Sequence, residues 1–274
     1  MKDLARLLRP KSIALIGGGW AVDVAAQLTK SGYPDAIWPV NPKRGEILGL
    51  PCFASVADLP GAPDAAFVGV NRDASVEVIA ALSRMGAGGA TCFASGFAES
   101  EAEGTGGADL QARLVAAAGG MPILGPNCYG FLNYLDNVTL WPDQHGGIPV
   151  ASGVAIVGQS SNMAINMTMQ RRALPIAYVL TAGNQAQTSL SDLGIAALAD
   201  DRVTALGLHV EGFGDIRAFE RLAGFARDRG KPVVVLKAGR SEAAQAATLT
   251  HTASLAGGAA AASALIARLG MVEV

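Results

Sequence analysis

Short, unbroken apolar runs recur along this chain with room for one helix between each pair, and that alternation restricts the fold more than any single motif. Ile13-Ala-Leu-Ile16, Ile37-Trp-Pro-Val40, Ala65-Ala-Phe-Val-Gly-Val70, Ala90-Thr-Cys-Phe93 and Pro122-Ile-Leu124 are the first five. A run that is apolar at every position suits a strand buried on both faces, the condition of a parallel sheet covered by crossover helices. Val76, Ile79, Ala80 and Ser83 mark one side of such a helix. This first unit reads as a Rossmann-like domain over 1–148. The periodicity lapses across Trp141-Pro-Asp-Gln-His-Gly-Gly-Ile-Pro149, where proline and paired glycines would break either regular structure. A second series follows: strands over 154–157, 176–180, 205–210 and 231–237, and helices over 161–172, 190–199 and around Phe219, Leu222 and Phe225. It reads as a second doubly wound parallel domain, flavodoxin-like, over 149–274.

Length and composition agree with two α/β domains. A single core stops growing near roughly 250–300 residues, and this chain has 274. Half of the residues are hydrophobic and only 5% aromatic, with 34 glycines, a balance that favours buried strands and closely packed helices. A formal charge of −2 offers no basic field for nucleic acid. Cys52, Cys92 and Cys128 are odd in number and widely spaced, which argues against a disulfide framework and a structural zinc site, and fits a reducing cytoplasm. The basic N-terminal stretch runs into a glycine loop and not a long apolar segment, so it reads as neither signal peptide nor anchor. No run reaches the ~20 apolar residues that span a bilayer. No metal ligand set and no membrane or nucleic-acid partner is expected.

Candidate sites fall where strands end. Gly17-Gly18-Gly19 follows the first strand and opens a helix, the setting in which backbone N–H groups approach a pyrophosphate. The pattern departs from G-x-G-x-x-G, and no acidic residue ends the second strand to hold a ribose. Asn41 and Lys43 stand there instead, which suits a ligand with an extra phosphate better than plain NAD. A tight turn without ligand is the plainer explanation of the glycines. Asn71, Ser95, Gly96 and Asn127 lie in further loops at strand ends and could line the same cleft. In the second half, Ser160, Ser161 and Asn162 enter a helix. Capping explains them, and the same N-terminus can hold a phosphate if several donors converge. Glu211 ends a strand on a glycine turn, where its carboxylate can fix one nitrogen of an imidazole and leave the other nucleophilic. His251, in Thr250-His251-Thr252 between alanine-rich helical pieces, is the histidine placed to carry a phosphoryl group. His145 and His209 read as structural.

The glycine loop, Pro39-Val-Asn-Pro-Lys43, Ser95-Gly-Phe-Ala-Glu99, Gly125-Pro-Asn-Cys-Tyr-Gly130, Val210-Glu-Gly212, Val235-Leu-Lys-Ala-Gly-Arg-Ser241 and Thr250-His-Thr252 occur in this order. In that ordered set the chain resembles the NDP-forming acyl-CoA synthetases, with the α subunits of succinyl-CoA synthetase nearest in mechanism. The resemblance implies a CoA-binding domain followed by a succinyl-CoA-synthetase-like domain. It implies His251 as the phosphorylated histidine, Glu211 as its carboxylate partner, and Ser160 with Ser161 as the phosphate-holding helix start. Gly17, Lys43, Asn71, Ser95, Gly96 and Asn127 match segments that contact CoA. Where the family has Ser-Gln-Ser-Gly this chain has Gly158-Gln-Ser-Ser161, which puts a side chain at the phosphate approach. The variants look most like the branch that includes feruloyl-CoA synthetase-type enzymes, implying an aromatic acid such as a hydroxycinnamate.

The implied reaction is acid + CoA + ATP ⇌ acyl-CoA + ADP + phosphate. ATP, ADP and Mg2+ would be handled by an ATP-grasp subunit or fused domain, in an oligomer, since nothing in this chain looks like ATP-grasp. Two other readings use fewer of the residues. One is a non-catalytic CoA or acyl-CoA sensing module; the other, resting on the glycine loop alone, is an NAD(P)-binding oxidoreductase or redox sensor.

Overall fold

A computed structural model describes residues 2–104, 106–239 and 259–274. A short helix α1 (Ala5–Leu8) leads into strand β1 (Ser12–Gly17), helix α2 (Gly19–Ser31), β2 (Ala36–Val40) and the small antiparallel pair β3 (Glu46–Ile47) and β4 (Leu50–Pro51). Then come β5 (Ala65–Gly69), α3 (Arg72–Met85), β6 (Ala90–Cys92), α4 (Gly107–Ala118) and β7 (Ile123–Leu124). The five longer-range strands form a parallel sheet in the order β2-β1-β5-β6-β7.

The unbroken apolar strands are buried on both faces, as their sequence requires. Ile13 and Leu15 of β1 pack with Val24, Ala25 and Leu28 of α2, while Ala14 and Ile16 pack with Ile79 and Leu82 of α3 and Leu110 and Leu114 of α4. The alternation follows from the two-residue repeat of a strand. Helix α3 starts because the Asn71 side chain accepts from the Ala74 N–H at 2.9 Å, and it stops at Gly86 in the left-handed region.

The second sheet is larger than its own repeat. Its strands are β8 (Phe131–Asn133), β9 (Val138–Leu140), β10 (Gly153–Gly158), β11 (Ile176–Thr181), β12 (Val203–Val210), β13 (Val233–Lys237) and β14 (Val272–Glu273). The order is β14-β13-β12-β10-β11-β8-β9. The five strands from β10 onward are parallel, whereas the hairpin β8–β9 joins antiparallel, Leu132 facing Val179. The sheet expected to be purely parallel is therefore mixed. Its two extra strands come from the sequence before residue 148: Phe131, Leu132, Val138 and Leu140 are apolar and buried, with β8 pairing to β11 and β9 to β8.

Helices α6 (Leu190–Leu198), α7 (Ile216–Asp228) and α8 (Ala259–Arg268) cover one face through Leu193, Phe219, Leu222 and Ile266. On the other face α5 (Ser161–Thr168) covers the middle. It ends four residues earlier than the pattern 161–172 predicts, since the chain must turn at Ala173 (φ +55) and Pro175 to enter β11. Beside α5, among the described residues, an apolar groove of about 1020 Å³ runs over Val154, Ile156, Gly207, Val234 and Leu236.

The hairpin also joins the two halves. The Gln27 amide of α2 donates to the Asp143 carbonyl at 2.8 Å and the Ser31 hydroxyl to the Asn137 carbonyl at 2.9 Å. Arg202, before β12 turns inward, forks between Asp136 of the hairpin turn and Asp200, both at 2.8 Å. That guanidinium holds the Asp200 carboxyl down at about 2. Among the described residues no helix is long and apolar enough to cross a membrane.

Candidate functional site

Open α/β sheets bind ligands outside the carboxyl ends of their strands, where the strand order reverses. In the first sheet that point lies between β1 and β5, where Gly17 is paired with Gly69. In the second it lies between β10 and β12, where Gly158 is paired with His209. The residues that follow these four strands meet across one cleft of about 710 Å³. Gly69, Val70, Asn71 and Arg72 line one side, Gln159, Ser160, Ser161, Asn162 and Glu211 the other, and Ser95 and Asn127 the floor between.

The first side is built by omitting atoms. Gly17 has φ +138, and a Cβ on it would stand 2.5 Å from the Gly69 carbonyl oxygen. Asn41 closes the turn from β2, its amide donating to the Gly17 carbonyl at 2.7 Å and its carbonyl oxygen accepting from the Lys43 N–H at 2.9 Å. Gly17, Gly18, Asn41, Lys43 and Asn71 line a second cleft of about 660 Å³ that shares Gly69–Asn71 with the first. Gly19 opens α2 between the two clefts, whose first-turn N–H groups no side chain caps. Arg72 reaches from α3 to the Gly96 carbonyl at 2.7 Å, fixing the loop that carries Ser95.

The second side is built with buried polar groups. Gln159, 4% exposed, has its side-chain oxygen facing the N–H groups of Glu211 and Gly212 and its amide donating to the Gly212 carbonyl at 3.2 Å. Lys237, also 4% exposed, donates from Nζ to the Glu211 carbonyl at 2.9 Å and to the carbonyl of Ala238. Burial pushes that ammonium below the usual lysine range, and Glu211 opposes the shift. These two residues hold the turn that presents Glu211. Ser160 caps α5, its hydroxyl oxygen accepting from the Met163 N–H at 3.3 Å. Ser161 Oγ accepts from the Tyr129 N–H at 3.1 Å, so the residue that replaces the family glycine ties the helix start to the loop after β7. Asn162 is exposed at the cleft.

The two sides are strapped together by the loop after β11. Gly183 lies so close to the first half that a Cβ on it would be 2.3 Å from the Pro126 carbonyl oxygen. Asn184 donates to Glu99 and, at 3.0 Å, to Gln111, while Glu99 accepts from the Gly96 N–H at 2.7 Å. Sequence reasoning passed over Gln159, Asn184 and Lys237 as site residues. Their signal was polarity inside otherwise apolar strand ends, which gains meaning only once the strand neighbours are known.

Among the expected site residues, all but Gly19 and Gly96 line one of the two clefts, apart from His251, which lies outside the described residues. His145 meets the Tyr134 hydroxyl at 3.0 Å. His209 is 6% exposed and lines the groove on the open sheet face, with no hydrogen-bond partner for Nδ1 among the described residues. Cys128 borders the cleft, but burial pushes its thiol up to about 12, so it is no nucleophile.

Comparison with known proteins accords with this geometry. Residues 11–134 match the CoA binding domain and residues 151–274 the succinyl-CoA ligase like flavodoxin domain. The chain belongs to the NDP-forming acyl-CoA synthetase family. It is 33% identical to a trans-feruloyl-CoA synthase from an unknown prokaryotic organism, over 99% of this chain and 40% of that protein. It is 30% identical to the α subunit of an ADP-forming acetate–CoA ligase II of Pyrococcus furiosus, over 90% of this chain and 54% of that subunit. The solved acetyl-coenzyme A synthetase 1 of Candidatus Korarchaeum cryptofilum, in complex with phosphate and ADP, superposes with a TM-score of 0.88 at 29% identity, covering all of this chain and 60% of that one. The chain thus spans about two fifths to three fifths of the length of these relatives.

CoA fits the residues present: Gly18 and Gly19 leave open space where a side chain would stand, Asn41 and Lys43 line the same cleft as Gly18, and the two clefts share Gly69, Val70 and Asn71 as lining. Among the described residues no group of His, Cys, Asp or Glu is arranged to hold a metal ion.

Proposed function

We propose that this chain is the CoA-binding and phosphohistidine part of an acyl-CoA synthetase that converts a carboxylic acid, CoA and ATP to acyl-CoA, ADP and phosphate. The supporting observation is the convergence of two strand-order reversals on one cleft, with the glycine approach on one wall and Ser160, Ser161 and Glu211 on the other. In this reading residues 1–148 bind CoA through Gly17, Gly18, Gly19, Asn41, Lys43, Asn71, Ser95, Gly96 and Asn127. Residues 149–274 carry the phosphate chemistry. In the direction of acyl-CoA use, a phosphate oxygen attacks the thioester carbonyl and the thiolate leaves, taking a proton. An imidazole nitrogen of His251 then attacks phosphorus and the carboxylate leaves. Glu211 orients and charge-balances that imidazole, and the α5 N-terminus holds the phosphate. Transfer to ADP, with Mg2+, belongs to an ATP-grasp subunit or domain, in keeping with the relative named as an α subunit.

The test is incubation with acyl-CoA, labelled phosphate and Mg2+. Acid-labile label should appear on His251 and vanish in His251→Asn, and fall at least tenfold in Glu211→Gln. CoA binding without any label would favour an acyl-CoA sensing module instead.

A further inference from the structure

Five of the chain's fifteen aromatic side chains gather in one run beside this cleft. Phe67 and Trp141 are fully buried at its inner ends. Phe93 touches Phe67 at a centroid distance of 5.7 Å, Tyr129 touches Trp141 at 5.3 Å, and Phe93 and Tyr129 lie 5.6 Å apart. The run ends at Trp20, 4.8 Å from Phe93 and 46% exposed. Trp20, Phe93 and Tyr129 all line the cleft.

An indole left half in water on an otherwise aromatic-poor surface is an unused apolar face. Its backbone is held in regular structure: Trp20 stands in the first turn of α2, and Phe93 directly follows β6. Tyr129 is bound through its backbone N–H to Ser161 Oγ, which sets this end of the run beside the start of α5. The rings meet at 38° and 43° along the cleft side, a tilt that does not stack one ring face wholly over the next. A two-carbon acid would leave those faces wet, whereas an aromatic one would cover them.

Resting on the acyl-CoA reading above, we propose that Trp20, Phe93 and Tyr129 form the acyl-recognition wall and select a flat aromatic carboxylic acid. Its ring lies against Trp20 and Phe93, and its carboxyl carbon is directed to the Ser160–Ser161 side.

Calorimetric titration of the 274-residue chain with CoA, acetyl-CoA and cinnamoyl-CoA tests this. Cinnamoyl-CoA should bind roughly tenfold more tightly than acetyl-CoA, the size of one good aromatic contact. In Trp20→Ala the ratio of the two affinities should fall to about one, and Trp20→Phe should keep part of it. A ratio of one in the unmodified chain, or one that survives Trp20→Ala, overturns the aromatic wall while CoA binding still stands. Failure of all three ligands to bind overturns the acyl-CoA reading itself, and the wall with it.

Discussion

The two walls of the cleft occupy equivalent places in their sheets yet are made by opposite means. At the β1/β5 reversal the chain removes side chains until backbone meets backbone, and Gly17 against Gly69 is the result. At the β10/β12 reversal it buries Gln159 and Lys237 and spends their hydrogen bonds on a single turn. An approach made by absence leaves room only at the glycines beside it, Gly18 and Gly19, and cannot hold a side chain in place. A turn pinned by buried amide and ammonium groups can, and Glu211 is the group it presents. Under the proposed function, binding and chemistry would be divided accordingly.

Three substitutions would break or sharpen that contrast. Gly17→Ala forces a Cβ onto the Gly69 carbonyl and an alanine into positive φ. Urea unfolding should show a loss of roughly 3–5 kcal/mol, with CoA binding abolished. If stability is unchanged, the close approach does not define the first wall. Gln159→Leu keeps the volume but strands the Glu211 and Gly212 N–H groups. It should cost roughly 2 kcal/mol in the same measurement, while lowering His251 labelling far more than CoA affinity. Equal losses in both would erase the distinction between the walls. Ser161→Gly removes the acceptor for the Tyr129 N–H and should cost roughly 1 kcal/mol. Hydrogen exchange should then quicken at Tyr129 and not at Glu211, and protection unchanged at Tyr129 would show that Ser161 does not tie the walls together.

How much of this was legible beforehand varied with the range of the interaction. The strands over 13–16 and 65–70 were readable because burial on both faces demands apolar residues at every position. The site residues Asn71 and Ser160 were readable as strand-end and helix-cap residues, and both do cap helices, α3 and α5. The hairpin β8–β9 escaped because three-residue strands carry too little periodicity, and their pairing with β11 lies far along the chain. The aromatic run escaped for a similar reason: Trp20, Phe93, Tyr129 and Trp141 are scattered over more than a hundred positions, and each alone looks like an ordinary core residue.

By itself, then, the order of residues determined two sheets, their crossover helices, and which strand ends carry glycine, asparagine, serine and glutamate, since these depend on local periodicity and turn chemistry. Only the tertiary structure decided that the two sets of strand ends face each other, that Gln159 and Lys237 hold Glu211, and that an aromatic wall stands beside the Ser160 helix. Those facts depend on how α2, the hairpin and the Gly183 loop pack the halves together, and packing between distant segments leaves no periodic trace in a sequence.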